Sequence, residues 1–212
     1  MYYNRKKDFL KILKKYLDIF LPQKLQAKKI NYKLIFKSDE KLFYFLDYKN
    51  KKIKEMFWQL KFHKNKKPAF VFAQILYQNI FDIQEKLKFE KNFNDFVLVP
   101  VPCFILRRLK RTYSQNILIL RYFEKMGGSN FVRIENILKK KKHTKPQNKM
   151  KNIKKRKENV KNAFDVKKGF DLKNKNVILF DDIYTTGSTL KEAEKVLKKA
   201  GAKRVYFIAM AH

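Results

Sequence analysis

The stretch VILFDDIYTTGSTLKEAEKVLKKAGAKRVYFIAMAH, residues 177–212, constrains the fold more than any other part of the chain. An apolar strand runs into two adjacent carboxylates, Asp181 and Asp182. Four hydroxyl residues and a glycine follow at once: Thr185, Thr186, Gly187, Ser188 and Thr189. An amphipathic helix is expected over residues 189–200, stopped at Gly201, and a second apolar strand, RVYFIAMA, closes the stretch. Two such strands joined by a helix of this length form a parallel pair with a crossover.

Upstream the same alternation recurs without repeats. YKLIF and LFYFLDY read as a pair of short strands, and helices are expected over residues 51–62 and 68–87. DFVLVPVP reads as a buried strand stopped by prolines, and TYSQNILILRYFEKM as a helix ended by Gly127 and Gly128. After a further strand at FVRI the chain turns basic and nearly free of apolar residues, so residues 139–157 are expected to be a mobile loop before order returns at NAFDV. The expected class is α/β: an open parallel sheet flanked by helices over 48–212, with a small α+β appendage over 1–47. The appendage opens with MYYNRKKDFLKILKKYLDIFL, whose apolar residues fall at helical spacing. Packing of that helix on the domain is the expected role, and peripheral membrane contact is the alternative.

Charge narrows the partners. The chain carries 52 Lys plus Arg against 19 Asp plus Glu, a formal net charge of +33, which favours phosphate-bearing partners or anionic lipid. With only five glycines and five prolines beside abundant Lys, Asn, Ile and Phe, AT-rich coding would supply part of that excess. The single Cys103 excludes an internal disulfide and a multi-cysteine zinc site, and a lone thiol suits a reducing cytosol. The three histidines, His63, His143 and His212, are too scattered to read as a metal cluster.

The residue types in DDIYTTGST fit one chemistry. In an open parallel sheet the ligand crevice lies beyond the carboxyl ends of the strands, where the two aspartates fall. The loop delivers the chain into a helix N-terminus, whose N–H groups and positive dipole end receive a phosphate dianion. The hydroxyls of Thr185, Thr186, Ser188 and Thr189 add donors, and Gly187 lets the backbone approach closely. Asp181 and Asp182 would repel that phosphate, so they suit vicinal sugar hydroxyls one ring away, with a divalent cation to offset their charge. The composite ligand is a ribose 5-phosphate. A plain helix cap would need only one of these hydroxyls.

VILFDDIYTTGST resembles the phosphoribosyl pyrophosphate (PRPP) signature of the type I phosphoribosyltransferases, with Tyr184 where many members carry a smaller aliphatic residue. VPVPCFILRRLKRTYSQ, HTKPQ, RKENVKNAF and LKFHKNKKPA are similar to blocks of the competence-associated ComF family within that group. The chain lacks the paired CxxC motifs of that family's N-terminal zinc module, so no protein zinc site is expected. Thr112, Tyr113, Ser114 and Gln115 stand where the family has Gly-Phe-Asn-Gln.

The resemblance implies ribose hydroxyls on Asp181 and Asp182, the 5-phosphate on residues 185–189, and pyrophosphate on Val101, Pro102 and Cys103. Arg107, Arg108, Arg111 and Arg156 would be cations for pyrophosphate or the loop, with a solvated basic helix start as the equal alternative for Arg107, Arg108 and Arg111, and Mg²⁺ would accompany PRPP. It also implies a cytoplasmic PRPP-binding protein that supports natural transformation and DNA uptake, binding single-stranded DNA beside uptake and recombination proteins. Lys139, Lys140, Lys141, Lys142, Lys145, Lys149, Lys154 and Lys155 are the DNA-binding candidates. The alternative is an active transferase moving phosphoribose from PRPP to a base or amine with release of pyrophosphate.

Overall fold

The structure is a computed structural model in which residues 30–63, 65–91, 96–102, 113–141 and 158–212 are described. It divides into a unit Met1–Asn31 and a unit Tyr32–His212. The helix expected at the N-terminus lies outside the described residues.

The elements in chain order are β1 (Ile35–Lys37), β2 (Leu42–Leu46), α1 (Lys51–Phe62), α2 (Lys67–Lys91), β3 (Phe96–Pro100), α3 (Gln115–Lys125) and β4 (Arg133–Ile134), then β5 (Leu138–Lys140), β6 (Phe164–Val166), β7 (Asn176–Ile183), α4 (Ser188–Lys199) and β8 (Arg204–Ala211). One six-stranded sheet has the order β1-β2-β8-β7-β3-β4, and β5 with β6 forms a separate antiparallel ribbon. Within the large sheet only β1 runs antiparallel to its neighbour. The expected α/β class, mostly parallel with flanking helices, is the one observed.

Alternation along the strands explains the layers. Val97 and Val99 of β3, Val177 and Leu179 of β7, and Val205, Phe207 and Ala209 of β8 share one core with Leu190, Ala193 and Leu197 of α4. Those α4 positions recur at helical spacing, so its apolar stripe lies against the sheet while its lysines stay outside. The intervening residues Leu98, Ile178, Phe180 and Ile208 are also buried, so both faces of the central strands are covered, as a parallel sheet requires. α3 packs on β3 and β7, α2 on α3, and α1 on α2. In register, Val97 lies beside Val177 and Val177 beside Val205, which sets the carboxyl ends of β3, β7 and β8 along one edge.

Three expectations are corrected. The strand pair assigned to an N-terminal appendage is the edge of the main sheet, because β2 pairs in parallel with β8; the division falls at 31/32 rather than 47/48. Strand β7 does not stop at Phe180 but carries both aspartates, since Asp181 pairs with Ala209 and Ile183 with Ala211. The segment expected as a loop over 139–157 begins in strand β5, where Lys139 and Lys140 pair with Asp165 and Phe164; residues 142–157 lie outside the described residues. Among the described residues, no helix is long and apolar enough to cross a membrane.

Candidate functional site

The carboxyl edge of the sheet brings β3, β7 and the first turns of α3 and α4 together. Asp181 Oδ1 accepts from Asn116 Nδ2 at 2.9 Å and from the Asp182 N–H at 2.9 Å. Asn116 stands in the first turn of α3, and its Nδ2 also donates to the Val101 carbonyl at 2.9 Å. The Val101 N–H continues the ladder onto Phe180 O at 2.9 Å. One side-chain amide therefore ties the strand end expected to face pyrophosphate to the aspartate expected to hold ribose.

Asp182 turns to a different partner. Its Oδ2 lies 2.7 Å from Lys61 Nζ in the last turn of α1, and both side chains are largely buried, at 15% and 23% exposure. Lys61 Nζ also lies 5.5 Å from the centre of the Phe57 ring. Burial is the main force on the neighbouring Asp181 carboxyl, and the charge of Asp182 adds to it. Together they outweigh the Asn116 and backbone hydrogen bonds and the Lys61 charge, and push Asp181 up to about 7. Among the described residues no three His, Cys, Asp or Glu side chains form a metal cage. Asp181 and Asp182 are the described carboxylates that could hold the expected Mg²⁺, a cation that keeps several waters and binds through one or two carboxylates plus substrate phosphates.

The loop after β7 is shaped around Tyr184 and Gly187. Gly187 is the N-cap of α4 at φ +68°, and no side chain caps the helix. A Cβ at Gly187 would press on the Tyr184 hydroxyl and lie 2.7 Å from its Cζ. The hydroxyls of Thr186 and Ser188 bond each other at 2.9 Å rather than capping, and the Lys191 N–H closes the first turn onto Gly187 O at 2.8 Å. Thr185 is exposed, Thr186 and Thr189 are partly buried, and Ser188 is buried. No acidic side chain occupies the first turn. The helix end keeps its positive pole facing the crevice.

Tyr184 is buried and braces the loop from behind; burial, followed by its hydrogen bond to Glu40, raises its phenol above the usual range. His212 meets both Tyr184 and Tyr44 edge-on, with ring centres 5.2 and 5.1 Å apart. Lys37 Nζ can only donate, so His212 Nε2 accepts from it at 2.7 Å, and the proton on Nδ1 faces Tyr184 O at 3.2 Å.

Asp181, Asp182, Val101, Pro102 and the 185–189 loop are thus brought to one edge. Cys103, Arg107, Arg108, Arg111 and Arg156 lie outside the described residues, as do Lys142, Lys145, Lys149, Lys154 and Lys155. Lys139 and Lys141 both reach Asp165, at 3.3 and 3.2 Å, and Lys140 lies 5.3 Å from the Phe164 ring centre. These three belong to the β5–β6 ribbon. Asn116 and Lys61 were not assigned from the sequence; Asn116 directly follows Gln115, and Lys61 belongs to the LKFHKNKKPA block, so position beside recognised motifs was the available signal. Ser114 Oγ, Gln115 Nε2 and Asn116 Oδ1 are buried and find no partner among the described residues.

Residues 119–211 match the phosphoribosyl transferase domain family. Competence protein F of Haemophilus influenzae is 34% identical over 116 residues, covering 54% of this chain and 49% of that protein. The chain thus spans about half the length of that relative. A ribose-phosphate pyrophosphokinase of Thermococcus kodakarensis is 49% identical over 39 residues, 18% of this chain and 14% of that protein. Among solved structures, the glutamine PRPP amidotransferase of B. subtilis overlays with 18% identity and a TM-score of 0.38, over 66% of this chain and 25% of that one. A hypoxanthine phosphoribosyltransferase of Staphylococcus aureus overlays with 14% identity and a TM-score of 0.36, over 68% and 63%. The sheet is mostly parallel and flanked by helices, and the match to the phosphoribosyl transferase domain family runs through strands β4 to β8.

Proposed function

We propose that this chain, a Competence protein F homologue carrying a phosphoribosyltransferase-like domain, binds PRPP at the carboxyl edge of β7 and serves DNA uptake by binding single-stranded DNA. The observation that carries the ligand assignment is the pairing of Asp181 and Asp182 with a glycine-capped helix end one loop away. The ribose hydroxyls would donate to the aspartates, and the 5-phosphate would accept from the loop hydroxyls and the first N–H groups of α4. Val101 and Pro102 would border the pyrophosphate. Bound Mg²⁺ would offset the carboxylate and pyrophosphate charge. The unpaired polar atoms of Ser114, Gln115 and Asn116 support a polar ligand at this edge, because buried donors and acceptors without partners are costly. The surplus of basic residues supports a polyanionic partner.

The test is calorimetric titration of the protein with PRPP and Mg²⁺, with and without a short single-stranded oligonucleotide, while pyrophosphate is assayed. Binding that alters DNA affinity without pyrophosphate release supports a ligand-responsive DNA-handling protein. Pyrophosphate release with a base or amine would instead make the chain a transferase. No heat with PRPP would overturn the ligand assignment.

A further inference from the structure

The inner side of α1 is ordinary core: Ile53, Met56, Phe57 and Leu60 are buried. Its outer stripe is not. Lys51, Lys54, Glu55, Trp58 and Phe62 line it, and the two aromatic side chains at its C-terminal end are 52% and 56% exposed. The indole ring centre lies 3.9 Å from that of His63 and 6.5 Å from that of Phe62, so the rings form one cluster. That helix end is fixed in place: Tyr113 Oη donates to Leu60 O at 2.9 Å, and Lys61, one residue before Phe62, holds Asp182. The aromatic cluster therefore stands next to the ribose-binding edge.

Its surroundings define what would cover it. Residues 49–67 carry seven lysines besides Lys61, which is taken up by Asp182, and a single carboxylate, Glu55. A basic flank beside two half-exposed aromatic side chains matches a chain that alternates phosphates with stackable bases. An anionic membrane would also draw the lysines, but it calls for a wide apolar helix face, and here the outer stripe is apolar at only two positions.

We propose that Trp58 and Phe62 form a stacking platform for the bases of single-stranded DNA, with the lysines flanking α1 on its phosphates. This rests on the reading of the chain as a single-strand binder and adds where the bases go.

Trp58 is the only tryptophan in the chain, so its emission reports this site alone. The full chain is titrated with fluorescein-labelled oligo-dT, following anisotropy for total binding, and with unlabelled oligo-dT, following indole emission for stacking. Quenching that tracks anisotropy is expected, together with roughly tenfold or greater weakening in Trp58→Ala and a smaller loss in Trp58→Phe, which keeps a ring. If anisotropy rises while the emission is unchanged and Trp58→Ala binds as the parent does, the platform is wrong and the DNA reading survives elsewhere on the surface. If anisotropy does not rise, the DNA reading fails and the platform with it. Quenching by phosphatidylserine vesicles but not by oligo-dT would assign the patch to lipid and overturn the proposal.

Discussion

Asp181 is the residue at which the chemistry of this edge is most exposed to test. Its carboxyl is raised from 3.8 to about 7, first by burial and then by the charge of Asp182. A group that holds its proton more tightly in the folded state contributes stability below its ordinary pKa and loses that contribution as pH rises through about 7. Asp181→Asn keeps the shape and mimics the protonated acid. Its stability relative to the parent should grow between pH 5 and 8 in denaturant titrations, and a constant difference would contradict the raised pKa. Since a cation or sugar hydroxyl favours the carboxylate, PRPP with Mg²⁺ should bind the parent more tightly across the same rise in pH. Calorimetry should show that binding abolished in the variant. Gly187 makes a second prediction at this scale. Its left-handed backbone penalises any side chain by about 1–2 kcal/mol, and a Cβ would also meet Tyr184. Gly187→Ala should therefore lower the melting temperature by at least about 2–4 °C in a scanning calorimeter, and weaken PRPP binding as the loop shifts.

At the level of elements, the site depends on contacts between segments far apart in the chain, and this is where the sequence stops being informative. The strand, loop and helix over 176–199 could be read directly, because hydrophobic alternation, glycine and helical spacing are local signals. The parallel pairing of β2 with β8 leaves no such trace: Leu42 meets Phe207, 165 positions away (207 − 42), and apolar strands at either place look alike. Asn116 and Lys61 are hidden for the same reason, as each gains its role only when α3 and α1 reach the end of β7. Asn116→Ala tests the first of these. It removes two hydrogen bonds of about 0.5–1.5 kcal/mol each, so stability should fall by roughly 1–3 kcal/mol. It also removes a contact that lowers the Asp181 pKa. The pH midpoint for PRPP binding, followed by calorimetry, should move upward with affinity largely recovered at high pH. A uniform loss at every pH would mean that Asn116 supports only the fold.

The molecule as a whole carries a formal charge of +33, and charge read from composition does not say which lysines meet a ligand and which meet only water. The ribbon makes the distinction concrete. Lys139 and Lys141 share Asp165, and the hydrogen bond from Lys141 is the main cause that holds this carboxyl below its usual range. Part of their charge is thus answered within the protein. Lys142, Lys145, Lys149, Lys154 and Lys155 follow in a stretch of sequence where acidic residues are absent until Glu158. For single strands, each phosphate neutralised contributes about 0.7 to the slope of log affinity against log salt. Replacing those five lysines by Gln should reduce the slope by up to about 3.5, with the weakening most marked at low salt. Replacing Lys139 and Lys141 should change it less per residue, because Asp165 competes with the DNA for them. Fluorescence anisotropy with oligo-dT across a salt series measures both slopes. An unaltered slope in the five-lysine variant would mean that the charge there serves solvation, leaving α1 and its aromatic end to account for DNA binding.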